Sequence, residues 1–319
     1  MSNFKQVIKL GGSSQTKNGY DNLIKSINFQ DKNIIVVSAI KGITNNLITL
    51  STKIKENKDN IQDYLENNVI SIVSSLVFEL NLDSTFILEE YNFLHLIIKK
   101  ANLTLQDEID IISIGETFTA KILNKYLEKN NFDSIYLDSK NFIYSDKENE
   151  SLFNTNEFQV DSNVIFDNLN NKNTIVVPGF RGRDVNNNIS LMSRGGSDTS
   201  GSLISSYIDS NKYQIWTDVN GLYSTDPNLI DNAIIIKSIS YDAAQEVSAM
   251  GAEILHPYCI RPCKEKNIPI EIKNTYNLKE TFTTIEQPNN IPDNTIYCIT
   301  NQENITVFKI ESLNMWNNY

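Results

Sequence analysis

Short runs of aliphatic and β-branched residues recur along this chain, separated by longer stretches in which apolar residues return every three or four positions. Residues 6–10, 33–38 (NIIVVS), 109–114, 174–178 and 214–217 are near-continuous apolar runs. Their lack of polar alternation predicts strands buried on both faces, as in a parallel sheet. Residues 135–137 add a short strand and 268–273 a final one. Residues 56–105 have helical spacing, with Ile61, Tyr64 and Leu65, then Val69, Ile72, Val73 and Leu76, then Phe86, Ile87, Phe93, Leu94 and Ile97. They predict two or three helices, a mostly structural insertion. Further helices are expected over 115–130, 164–169, 199–208 and 240–250, and from Pro257 to about Lys266. Ser197 and Asp198 suit the N-cap of the 199–208 helix, and Ser240 that of the 240–250 helix, with Gly251 as its stop. Alternation of strand and helix predicts an α/β fold with a mainly parallel central sheet.

Composition narrows the function classes. With 319 residues and 40% hydrophobic content, the chain can bury a large core in two lobes. A formal net charge of -11 and a pI near 4.8 argue against a nucleic-acid partner, while leaving room for a nucleotide held by local positive groups. Cys259, Cys263 and Cys298 cannot all pair, and no second Cys or His pair completes a metal set beside them. Free, buried or half-buried thiols in a reducing cytosol are expected. The first residues lack a signal-like apolar core, and no apolar run is long enough to span a bilayer, so a cytoplasmic protein is expected.

Candidate chemistry gathers where predicted strands end. Lys9 lies beside Gly11-Gly12-Ser13-Ser14, where a lysine can reach a phosphate held by the turn; the bland alternative is a solvated strand-end lysine. Residues 38–45 (SAIKGITN) form a loop at a strand's C-terminal end, the edge where open α/β sheets bind ligands. Glu116 falls in the first turn of the expected 115–130 helix, where a carboxylate is more often a surface group facing the helix dipole. Arg181 and Arg183 read as ordinary loop charges, His95 as a packed histidine, and His256, before Pro257, as structural. Gly195-Gly196 forms a tight turn opening a helix whose N-terminus suits phosphate or carboxylate, unless it is a plain helix cap before a surface loop. The strand at 214–217 then runs into a long polar loop, 218–227. There is no Walker A sequence and no Gly-x-Gly, which disfavours P-loop and Rossmann readings.

Taken together, these segments resemble the aspartate kinase branch of the amino-acid kinase family. Residues 193–198 (SRGGSD) stand for the family's Gly-Arg-Gly-Gly-Ser-Asp, and 216–228 (WTDVNGLYSTDPN) for Trp-Thr-Asp-Val-x-Gly-Ile/Val-Tyr-x-x-Asp-Pro-Arg. Residues 9–14 (KLGGSS) stand for Lys-Phe-Gly-Gly-Thr-Ser, 115–120 (GETFTA) for Gly-Glu-x-x-Ser/Thr-Ala, and 179–182 (GFRG) for Gly-Phe-x-Gly. The resemblance implies a three-layer α/β/α sandwich of the carbamate-kinase-like type. An amino-acid lobe would span 1–180, a nucleotide lobe 181–285, and a linker with an incomplete ACT-like stub 286–319. It implies transfer of the ATP γ-phosphate to the β-carboxylate of L-aspartate, with Mg²⁺, in a homodimer without lysine or threonine feedback. Lys9 would stabilise the transferring phosphoryl group, and Asp198 would orient Lys9 and the reacting carboxylate. Gly11 and Gly12 would donate N–H groups, beside the Ser13 hydroxyl. Arg194 would clamp the substrate carboxylate and Glu116 its amino group, with Ser38, Thr44, Phe180 and Ser197 around them. Thr217, Asp218 and Tyr223 would contact the nucleotide, with Asp226 beside them.

Two positions depart from the family. Glu253 stands where a lysine approaches the ATP phosphates, and Asn228 where an arginine does. Each lost charge-assisted contact is worth roughly 1.5–3 kcal/mol, a 10- to 100-fold loss. Two other readings therefore stand beside the first: a catalytically weak or inactive amino-acid-binding homologue acting as a partner subunit, and a kinase for another small acid.

Overall fold

A computed structural model describes residues 5–28, 30–154, 157–193, 195–249, 255–287 and 298–299. All but one of the expected strands form, and shorter ones join them: β1 (Lys5–Leu10), β2 (Lys32–Val37), β3 (Ser134–Tyr136), β4 (Ile143–Tyr144), β5 (Gln159–Val160) and β6 (Thr174–Pro178). Then come β7 (Arg181–Arg183), β8 (Ile189–Leu191), β9 (Lys212–Thr217), β10 (Ser238–Ile239), β11 (Ile270–Asn274) and β12 (Thr283–Ile285). An eight-stranded sheet runs β10-β12-β11-β9-β1-β2-β6-β3. Its six strands from β11 to β3 are parallel, and β12 pairs antiparallel to β11. A small sheet, β5-β4-β7-β8, is made of residues 143–191.

The apolar runs dictate this arrangement. Val7, Ile8 and Leu10 of β1, Ile34 to Val37 of β2, and Ile175 to Val177 of β6 are all buried. A strand with no polar face must be covered on both sides, and helices lie on both. Register then fixes where loops begin. Leu10 pairs with Val37 and with Trp216, and Val37 pairs with Pro178. The next residues of three of these strands, Gly11, Ser38 and Gly179, therefore leave the sheet side by side at one edge, beside Thr217 at the end of β9.

One predicted strand is a helix. Residues 109–114 lie inside a 25-residue helix, Leu105–Lys129, opened by a capping box between Thr104 and Asp107. Ile109, Ile111, Ile112, Ser113 and Ile114 are buried around most of its circumference. A helix enclosed on all sides has no polar stripe, so its sequence mimics a buried strand. Glu116 consequently stands mid-helix rather than in a first turn. The insertion forms helices Ile61–Leu65, Ser71–Glu79 and Leu88–Ile97, the first two joined by a π-turn at Glu66–Ile70. His95 is half-buried rather than packed inside, with Nδ1 3.2 Å from Gln62 and Nε2 3.6 Å from Glu66. Cys259 and Cys263 are buried free thiols, and burial pushes the Cys263 thiol up to about 12.

The Gly196–Tyr207 helix crosses β1 and β9 closely. A Cβ on Gly201 would lie 2.6 Å from the Tyr213 hydroxyl oxygen and 2.7 Å from its ring. That hydroxyl donates to the Asp198 carbonyl at 2.9 Å. Gly201→Ala should therefore destabilise the protein by about 1–3 kcal/mol, as overpacked cores do, seen as a lower urea midpoint. Among the described residues, no helix is long and apolar enough to cross a membrane.

Candidate active site

Alternation along β1 aims Lys9 and its β2 neighbour Val36 toward the Gly196–Tyr207 helix. Lys9 is 9% exposed. Its Nζ lies 2.7 Å from Asp198 Oδ1, an ion pair between two side chains that are each nearly buried. Asp198 sits in the first turn of that helix, where the dipole favours a carboxylate. The helix is capped by neither Ser197 nor Asp198. Gly195 takes the N-cap position in a left-handed conformation, φ 76°, without a side-chain cap. A Cβ there would also fall 2.3 Å from the His256 Cβ. His256 itself caps the short turn Pro257–Cys259 and packs its ring against Tyr258.

The loop after β6 closes the same space. Phe180 is held at φ 69°, a left-handed conformation costly for an aromatic residue. Its N–H donates to Ser200 Oγ at 3.0 Å, and its carbonyl accepts from Met192 N–H at 2.9 Å. A Cβ on Gly196 would lie 2.6 Å from the Phe180 ring, so the glycine turn seats the ring directly.

Glu116 reaches the site from the middle of the Leu105–Lys129 helix. Gly115 permits this approach: a Cβ there would meet Ala39 Cβ at 2.9 Å. Glu116 is 3% exposed, and Oε1 accepts from Ala39 N–H at 3.2 Å. Oε2 is buried without a hydrogen-bond partner. Burial raises the carboxyl to about 7, opposed by the Ala39 N–H and by the charges of Arg181 and Lys9. A buried carboxylate oxygen with no partner is costly unless a ligand satisfies it.

Lys9, Gly12, Ser38, Thr44, Glu116, Phe180, Ser197 and Asp198 line one cavity of about 560 Å³, a volume suited to a small ligand. Sequence reasoning missed Lys41 and Phe153 in its wall. Phe153 packs tilted against Phe180, ring centroids 5.9 Å apart, and an aromatic side chain among the mostly polar residues 145–157 is the available signal. Lys41 precedes Gly42, whose φ of 90° turns the chain into the Ile43–Lys55 helix. Arg181 is not a loop charge but is 4% exposed. It pairs with Asp138 Oδ2 at 2.6 Å and donates to Thr117 Oγ1 at 2.8 Å.

Of the expected nucleotide residues, Lys9 and Gly12 line this cavity, whereas Gly11, Ser13, Thr217, Asp218, Tyr223, Asp226 and Asn228 do not. The Gly11 N–H is spent on the Trp216 carbonyl at 2.9 Å, so it cannot also donate to a phosphate. A Cβ on Gly12 would lie 2.9 Å from the Ala39 carbonyl, so that turn leaves room only for backbone. Ser13 follows in the turn Gly12–Ser14, its carbonyl accepting from Tyr276. Thr217 ends β9 and Asp218 starts the loop after it, with Thr217 Oγ1 donating to Asp218 Oδ1 at 3.1 Å. Lys41 Nζ, 3.7 Å from Asp218 Oδ2, joins that loop to the cavity mouth. Tyr223 bridges to Ile235. Asp226 Oδ1 accepts from the backbone and side chain of Asn228 in an exposed turn. Arg194 and Glu253 lie outside the described residues, as do residues 312–315 of the expected stub. Among the described residues, no three His, Cys, Asp or Glu side chains gather as a metal site.

An open α/β sheet with its cavity at the carboxyl ends of parallel strands, lined by a lysine, glycine turns and buried carboxylates, defines a protein that binds a small polar ligand at its sheet edge. A model of the amino acid kinase family matches residues 5–274, and the chain belongs to that family. It is 31% identical to the bifunctional aspartokinase/homoserine dehydrogenase of Buchnera aphidicola over 96% of its own length and 39% of that protein. Among solved structures it is similar to Clostridium acetobutylicum aspartate kinase, with TM-score 0.72 and 29% identity over 92% of this chain and 66% of that one. The fold also matches Escherichia coli aspartokinase III in complex with aspartate and ADP, with TM-score 0.77 and 22% identity over 89% and 65% of the two chains. The chain thus spans between 39% and 66% of the lengths of these proteins.

Proposed function

We propose that this chain transfers the ATP γ-phosphoryl group to the β-carboxylate of L-aspartate, forming 4-phospho-L-aspartate. The observation that carries this reading is the pairing, in one cavity, of an unpartnered buried Glu116 oxygen with the Lys9–Asp198 ion pair. The first suits an ammonium group, the second a phosphoryl group arriving beside a carboxylate. Phosphoryl transfer demands positioning and charge neutralisation more than covalent chemistry. Lys9, fixed by Asp198, supplies a preoriented cation for charge developing on the phosphoryl oxygens. Glu116 takes the substrate ammonium, which draws its carboxyl into the ionised form. Ser38, Thr44 and Ser197 offer hydroxyls around the acceptor, Phe180 and Phe153 exclude water, and Arg194 is assigned the substrate carboxylate.

The nucleotide enters over the loop after β9, past Thr217, Asp218 and Tyr223. Gly12 lines the cavity, and its close packing on the Ala39 and Lys41 backbone keeps that turn free of a side chain beside the position assigned to phosphate. Mg²⁺ would supply charge neutralisation, and the half-exposed Asp218 carboxylate is the side chain that would hold it. The same reading assigns residues 1–180 to the amino-acid lobe and 181–285 to the nucleotide lobe, in a cytoplasmic homodimer.

A coupled ADP-release assay, run beside hydroxamate trapping of the acyl phosphate, tests the reaction. Aspartate-dependent ADP release should match hydroxamate formation one to one, with aspartate the best acceptor in a panel of small acids. No turnover at saturating MgATP, with aspartate still bound, would instead favour the partner-subunit reading raised by Asn228 and Glu253.

A further inference from the structure

We propose that Arg181, with Asp138 as its counter-ion, is a positioning residue that locks the Glu116 turn of the Leu105–Lys129 helix and sets the field on the Glu116 carboxylate. The inference deepens the aspartate-site reading above and rests on it. A guanidinium 4% exposed is rare without a purpose, because an unpaired buried charge is strongly disfavoured. Its bonds are specific. One amino group meets Asp138 Oδ2 at 2.6 Å. The other donates to Thr117 Oγ1 at 2.8 Å and reaches Ser113 Oγ at 3.4 Å. Ser113 and Thr117 lie four apart on the helix that carries Glu116, so the fork spans a single helical turn. Arg181 itself is anchored in β7, directly after the constrained Phe180, and pairs with Leu191 of β8. A rigid strand thus holds the helix at the point from which Glu116 enters the cavity.

Charge follows the same geometry. Among the described residues, the ionic groups on elements packed around Glu116 are Lys9 of β1, already paired with Asp198, and Arg181 of β7, paired with Asp138 after β3. Asp110 lies on its own helix and shares the Arg181 field. At the cavity mouth, Lys41 pairs with Asp218, and His256 packs behind Gly195. Arg181 and Lys9 both favour the ionised carboxylate against its burial. Asp138 moderates the first of them. Removing Arg181 and removing the Asp138 charge should therefore act on Glu116 in opposite directions, which a purely structural role would not do.

The test is a pH titration of the ligand-free protein labelled with ¹³Cδ-glutamate, the Glu116 resonance being assigned by its loss in Glu116→Gln. Arg181→Met should raise the Glu116 midpoint by about one unit. Asp138→Asn should lower it, and Arg181→Lys should restore the wild-type midpoint. Calorimetric aspartate affinity at pH 6.5 should fall about tenfold in Arg181→Met, the equivalent of that one-unit shift. Thr117→Val should weaken aspartate at every pH with the midpoint unmoved, because it loosens the turn and leaves the charge in place. Midpoints that stay put, or that move together in Arg181→Met and Asp138→Asn, overturn the proposal. Should Arg181→Met fail to fold, the direction in Asp138→Asn decides alone, and an unmoved midpoint there overturns it. Failure of the kinase reading appears separately, as no aspartate-dependent ADP release by the unaltered protein whichever way the titrations run.

Discussion

Lys9→Met should lower kcat by about 10²–10³-fold, the usual cost of one preorganised group that stabilises transition-state charge. The aspartate KM should change far less, since Lys9 faces Asp198 and the phosphoryl position rather than the substrate ammonium. The loss carries a structural side effect that needs separating. Lys9 and Asp198 side chains are only 11% and 13% exposed, so removing one partner strands the other charge in a dry site. Breaking such pairs costs about 3–5 kcal/mol. The double variant Lys9→Met with Asp198→Asn removes both charges and should recover most of the stability while recovering none of the activity. A thermal melt and steady-state kinetics on the same three proteins distinguish the two effects. Recovery of activity in the double variant would show that Lys9 serves the fold and not the reaction.

Much of this site was legible before any coordinates. Loops after apolar runs marked Gly12 and Ser38, and the family resemblance added Phe180 and Ser197; β1, β2 and β6 end at one edge, so register gathers the first of these. Single strands cannot announce how they are buried, however. The run at 109–114 is apolar because a helix is enclosed there, and periodicity carries no information once every face is covered. The same enclosure hid Arg181, whose role depends on Asp138 and Thr117, 43 and 64 positions away. Gly11 was misassigned for a related reason. Its N–H looked available in the sequence, yet pairing with β9 had already claimed it. Packing against elements distant in sequence, and not residue type, decided each of these.

Glu116→Gln should lower aspartate affinity by about 10–100-fold at pH 8, the loss of a charged partner to the substrate ammonium. The same variant should be more stable than wild type at that pH. Burial raises the folded-state carboxyl from an ordinary value of 4.5 to about 7, so the folded protein keeps a proton that the unfolded chain has released. Stability is therefore lost as pH rises from about 4.5 to 7, and the full penalty persists above 7. Glutamine does not ionise and escapes that penalty. Its advantage should be roughly 3 kcal/mol at pH 8 and should vanish near pH 4, where the carboxyl is protonated in both states. Urea midpoints at the two pH values read the stability, and calorimetric titration with aspartate reads the affinity. Wild-type aspartate binding should itself weaken as pH drops below about 7, because an ammonium ligand must then displace the Glu116 proton. A variant that loses stability at pH 8 along with affinity would mean that Glu116 is held ionised by the fold itself, and that the cavity was built around a charge already satisfied rather than one waiting for substrate.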